Sequence, residues 1–144
     1  MILEVALLGA LLGGPAIAPV PKNPLKLTEP TAAGLAQGRA YTKMLYSGAL
    51  DELHGKFNET LAGNVPGPLW SAQVRGFLQA AGPERELVQE RAYRVDGRNA
   101  YFRLLRFENT RLYRIAWIVE DDGTIANFYM TEVSYPERRA MGLL

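Results

Sequence analysis

The chain contains no cysteine. A disulfide framework, thiol catalysis and cysteine-ligated zinc are therefore excluded. Histidine is nearly missing too, with His54 the only one. One imidazole and no thiol leave carboxylates as the remaining metal ligands, so no metal centre is expected. Neither sign of charge is in excess. A formal net charge of +1 supplies no field that would gather nucleic acid. Gly-x-Ser-x-Gly, Walker-type and dinucleotide-binding glycine patterns are absent, and no cofactor is expected. There is no internal repeat and no low-complexity segment. A length of 144 residues suits one domain with a sizeable core.

The clearest positive signal lies in the second half. Residues 86–133 read as four consecutive strands, with reversals at Asp96-Gly97, Glu108-Asn109 and Asp122-Gly123. Asp-Gly between apolar runs is a strong hairpin signal, because glycine accepts the positive φ of a tight turn. The half before it reads as helices. Helices first and a meander second predict an α+β fold, a curved antiparallel four-stranded sheet covered by three N-terminal helices. The helices are expected over residues 30–47, 49–62 and 68–81. Thr28 or Glu29 would cap the first and Gly48 end it. Leu50, Leu53, Phe57 and Leu61 form the buried stripe of the second, and Trp70, Val74, Phe77 and Ala81 that of the third. Gly82-Pro83 stops the third. Gly34 and Gly38 weaken the first helix, a loss that close approach to another backbone could offset.

Residues 2–18 are almost wholly apolar, and Gly13-Gly14-Pro15 precedes a small-x-small triplet, Ala16-Ile17-Ala18. That layout is expected of an export segment over residues 1–18. An uncleaved anchor and an apolar helix of the domain are the alternatives. Pro19 and the missing basic residue ahead of the apolar run argue against cleavage. Residues 19–29, rich in proline, read as a linker, 30–133 as the domain and 134–144 as a tail. The expected location is periplasmic or extracellular, with membrane contact only if the first segment is retained.

Strand side chains alternate between faces. Tyr101, Arg103, Leu105 and Phe107 share one face of the second strand, and Tyr113, Ile115, Trp117 and Val119 one face of the third. In the fourth, Ile125, Asn127, Tyr129 and Thr131 oppose Ala126, Phe128 and Met130. Large apolar groups occupy both faces of these strands, whereas a sheet with one wet face should alternate more sharply. The second face wants a cover, either a homodimer packed sheet to sheet or the tail folding back. Arginines crowd the first three strands, where their stems can shield apolar surface.

With Ser47-Gly48-Ala49-Leu50-Asp51 after the first helix, then Phe57, Trp70, the Gly82 stop and Asp122-Gly123-Thr124-Ile125 before the last strand, the chain resembles the nuclear transport factor 2-like (cystatin-like) α+β superfamily. It looks most like small exported bacterial members, some of which precede a serine β-lactamase-like domain. The resemblance covers roughly residues 30–133. It implies a cone-shaped fold with a pocket between helices and concave sheet, and frequent dimerisation. It implies no single function, since members include isomerases, dehydratases, epoxide hydrolases and non-catalytic binding modules.

Candidate chemistry is sparse. His54 would need an orienting carboxylate to act as a base. Glu90 and Glu132 are the acids of the sheet half that fall within strands, so no paired pocket carboxylates can be assigned. Aromatics remain. Tyr41, Trp70, Tyr101, Trp117 and Tyr129 could line an apolar cavity, with Arg103 and Asn127 as polar anchors. The competing reading makes them the core. The expected role is a non-catalytic binding module of the cell envelope that holds a small, mostly apolar ligand or a protein partner. The alternatives are an isomerase, dehydratase or hydrolase working in the cone, and a purely structural dimerisation domain.

Overall fold

A computed structural model describes residues 31–143. The expected export segment and linker lie outside the described residues. Helix α1 (Ala32–Ser47) is capped by Thr31, whose hydroxyl accepts from the Gly34 amide at 3.1 Å. The cap is therefore not Thr28 or Glu29. Gly48 ends α1 in the left-handed region at φ 83°, where glycine carries no Cβ penalty.

The single helix expected over 49–62 is two. Helix α2 (Leu50–His54) stops, and α3 (Glu59–Asn64) restarts behind an Asn58 cap. Between them Phe57 forms a parallel bridge to Ile125. The Ile125 amide donates to the Lys56 carbonyl at 2.7 Å, and the Asn58 amide to the Ile125 carbonyl at 2.8 Å. Tertiary pairing thus overrides helical spacing, yet Leu50, Leu53, Phe57 and Leu61 are all buried. Helix α4 (Gly67–Ala81) ends at Gly82.

The four strands are β1 (Glu84–Val95), β2 (Arg98–Phe107), β3 (Leu112–Val119) and β4 (Ile125–Glu132), antiparallel and in chain order. Asp96 and Gly97 both have positive φ, as the tightest hairpin turn demands. The described part is α+β, with helices against one face of the sheet. Leu45, Leu53, Val74 and Phe77 bury themselves on Leu105, Phe107, Tyr113 and Ile115. The Phe77 ring meets Phe107 and Tyr113 edge-on at 5.6 and 5.2 Å. Each such pair adds about 0.5–1.5 kcal/mol beyond the area it buries.

One bulge changes the expected faces of β4. Ile118 pairs with Asn127 and Val119 with Ile125, which leaves Ala126 as the extra residue. Ile125 therefore joins Phe128 and Met130 in the helix-side core. Asn127, Tyr129 and Thr131 point to the other face, because one added residue reverses side-chain parity.

The outer face carries a second cluster of Leu104, Leu112 and Val133, packed by Val88 and Leu143. The tail forms α5 (Tyr135–Ala140), started by a Ser134–Glu137 capping box. Glu137 also reaches Arg114 at 3.6 Å. The tail thus folds back over one end of the outer face. Among the described residues no helix is long and apolar enough to cross a membrane.

Candidate functional site

Five of the seven residues singled out in the sequence fall on the helix side, and three of those form a packed interior. Trp70 and Trp117 are 1% and 0% exposed. Trp117 lies 4.4 Å from the Phe128 ring and 5.8 Å from Tyr41, and Trp70 is 5.8 Å from Phe128 on its other side. The Trp117 indole N–H donates to Thr42 Oγ1 at 3.0 Å, and that hydroxyl donates to the Gly38 carbonyl at 2.8 Å. The Tyr41 hydroxyl donates to the Gly123 carbonyl. These polar tips find partners inside the protein, as buried ones must. Asn127 and Tyr129 stand apart from this set, on the outer face beyond the β4 bulge.

His54 is structural. Its Nε2 faces the Val65 carbonyl at 2.7 Å and so carries the proton. The ring packs on Phe57 at 4.9 Å. Its N–H fastens the turn before α4, and its Nδ1 faces Gly67, where an added Cβ would lie 3.2 Å away. Among the described residues no three His, Asp or Glu side chains gather as a metal site.

The remaining two, Tyr101 and Arg103, belong to a charged network that the sequence did not reveal. Arg103 Nη2 donates to Glu84 at 2.7 Å and Nη1 to Glu90 at 2.9 Å. The Tyr101 hydroxyl donates to Glu90 at 2.6 Å and accepts from Arg103 at 3.1 Å. From α1, Arg39 donates to the other Glu90 oxygen at 2.9 and 2.5 Å. The side chains of Arg103, Glu84 and Glu90 are 16%, 14% and 8% exposed. The Arg39 hydrogen bond is the main reason the Glu90 pKa lies below its ordinary 4.5, with Tyr101 adding to it against the opposing effect of burial. Burial opposes the charge on Arg103, but Glu84 and then Tyr101 outweigh it and leave its pKa raised. Burial first, then Glu90, pushes the Tyr101 phenol up to about 12. Two arginines, two glutamates and a neutral phenol thus satisfy one another.

Two signals for this network were readable: Glu90 inside a strand, and Tyr101 and Arg103 on one face. Glu84 was hidden. The sequence predicts a strand from residue 86, but β1 begins at Glu84, and its two register shifts, between Glu84 and Glu86 and between Leu87 and Gln89, cancel, so Glu84 faces the side of Glu90.

Above the network lies an open groove of about 460 Å³ between α1 and the first two strands. Arg39, Thr42, Lys43, Tyr46, Leu87, Glu90 and Arg103 line it. Tyr46 also borders a neighbouring cavity of about 410 Å³ that includes Leu78, Pro83, Glu84 and Phe107. Packing of the Tyr46 ring on Phe107 at 6.1 Å divides the two. Burial, and then the Glu84 carboxylate, raises the pKa of the Tyr46 phenol and keeps it neutral.

On the outer face, Tyr93, Phe102 and Ile118 are half-buried around Ala100 and Ala116. The Tyr93 and Phe102 rings are 6.1 Å apart. Tyr129 is 8% exposed, and the charge of Arg114 acts on its hydroxyl. Compared with known protein families, with curated proteins and with solved structures, the chain matches none.

Proposed function

We propose that this chain is a non-catalytic interaction module that takes a protein partner, a second copy of itself first of all, on the outer face of its sheet. The observation that carries this reading is the contrast between the two faces. On the helix side, Tyr41, Trp70 and Trp117 pack against other aromatic rings in the volume that a ligand in a cone would need. On the outer side, Tyr93, Phe102 and Ile118 remain half-buried. A two-fold axis would set this patch against its own copy. The helix-and-meander order suits the nuclear transport factor 2-like cone, whose members often dimerise. The apolar run over residues 2–18 supports a cell-envelope setting. An enzymatic role ranks below this reading, because the groove carboxylates Glu84 and Glu90 are each held by arginine.

Size-exclusion with light scattering across a concentration series tests the pairing. The parent chain should run as a dimer, and Phe102→Glu should run as a monomer with an unchanged circular dichroism spectrum. A parent that stays monomeric at about 100 µM, well above the Kd of an ordinary stable interface, would remove the reading.

A further inference from the structure

The charged network leaves one cation over. Lys43 lines the groove between α1 and β1 and forms no ion pair with any described residue. The other charges that face the groove or its neighbour are Arg39, Glu84, Glu90 and Arg103, and these are joined to one another. Arg39 sits one helical turn before Lys43, on the same side of α1. Its Nε and Nη2 bond Glu90, which leaves Nη1 to donate to a ligand in the groove. The walls next to these cations are apolar. Leu87 and Tyr46 are 45% and 36% exposed, and past Tyr46 come Leu78, Pro83 and Phe107.

We propose that this groove binds a monocarboxylate with a medium-length apolar chain. The head group lies between Lys43 and Arg39, and the chain runs over Leu87 and Tyr46 toward Leu78 and Pro83. A groove of about 460 Å³ is of the size that small ligands occupy, and apolar walls with a few placed polar groups are their usual lining. The surplus of a single positive charge selects a monoanion. A dianion would meet the flank of Glu90 and Glu84 without further cations to balance it. A cationic head group would find both carboxylates already taken and Glu90 only 8% exposed. This site lies on the side of the sheet opposite the proposed pairing face and does not depend on that face.

The test is calorimetric titration of the full chain with octanoate, octylammonium and octanol. Octanoate should bind below about 1 mM and more tightly than either of the others. Lys43→Glu should weaken octanoate by about tenfold or more and favour octylammonium, while the circular dichroism spectrum and melting temperature stay those of the parent. Tyr46→Ala should weaken octanoate without changing the preference for a carboxylate over an ammonium. Octanoate binding no better than octanol, or unaffected by Lys43→Glu, would overturn the assignment. A monomeric parent that still binds octanoate would leave this site standing and remove only the pairing.

Discussion

Replacing Gly38 with alanine asks whether Tyr101 is a fixed post. Helix propensity alone predicts a gain of about 1 kcal/mol for glycine to alanine inside a helix. A Cβ at Gly38, however, would lie 2.0 Å from Tyr101 Cγ and 2.2 Å from Cδ2. A free side chain would swing aside. The Tyr101 ring is 1% exposed, and its hydroxyl is tied to both Glu90 and Arg103. Ordinary carbon contact needs about 3.5–4.0 Å, so either the ring or α1 must move by well over an ångström. Moving the ring strips hydrogen bonds to charged groups, at about 1.5–3 kcal/mol. Moving the helix opens its seam with the sheet, and overpacking of this kind costs about 1–3 kcal/mol. After the propensity gain of about 1 kcal/mol the net loss is about 1–2 kcal/mol. At about 4 °C per kcal/mol for a domain of this size, Tm should fall by about 4–8 °C. Gly76 in α4 is the control, since a Cβ there meets nothing within 4 Å. Gly76→Ala should raise Tm by about 4 °C. Thermal unfolding followed by far-UV circular dichroism, at one protein concentration, reads both. If Gly38→Ala melts at or above the parent temperature, Tyr101 is not held in place and the network around it is looser than its geometry says.

Two further outcomes follow from the same network. Arg103→Met leaves Glu84 and Glu90 buried beside a thioether and should destabilise by about 3 kcal/mol in urea unfolding; a loss below about 1 kcal/mol would mean that water reaches both carboxylates. Glu90 has a folded pKa below its ordinary 4.5. Its contribution is therefore fully present above that value and lost as pH falls through the lower, folded pKa. The urea midpoint should drop as the parent is acidified through this range, and Glu90→Gln should show a shallower decline; identical acid limbs would refute the assignment.

The hairpins were readable because their chemistry is local. Asp96-Gly97 and Gly123 adopt the positive φ that their residue types favour. Gly48 and Gly82 end helices for the same reason. What sequence could not carry was anything decided by a distant partner. Phe57 keeps its helical spacing and is nonetheless drawn out of helix by Ile125, 68 positions later. Gly38 faces a tyrosine ring first, and Gly34 the Ala92 Cβ and its own cap Thr31; side chains, not the backbone that could have offset their cost, are their nearest neighbours. The bulge at Ala126 moved Asn127 and Tyr129 away from Trp117 and Tyr101, so the seven residues picked for one cavity divide between two faces. A bulge has no strong sequence mark, and a single one reverses every side chain beyond it.

The buried ions have a role that their energy does not explain. A buried ion pair is weak evidence for stability, because desolvation offsets its attraction, and its best-attested use is to fix a register. Strand β1 needs such a device. It sits at the sheet edge, carries two register shifts in its first six positions and pairs with β2 alone. Irregular, charged edges discourage foreign strands, but irregularity also leaves a strand free to slip against its neighbour. Glu84 and Glu90 stand on either side of both shifts, and Arg103 reaches each of them. A slip of one residue would turn Glu90 to the outer face, away from Arg103, and leave the guanidinium buried with half its partners. Tyr101 and Arg39 then connect the fixed register to α1, the helix that Gly38 lets approach the Tyr101 ring. The geometry of the groove above, with Lys43 left over at its rim, depends on that count of residues being held.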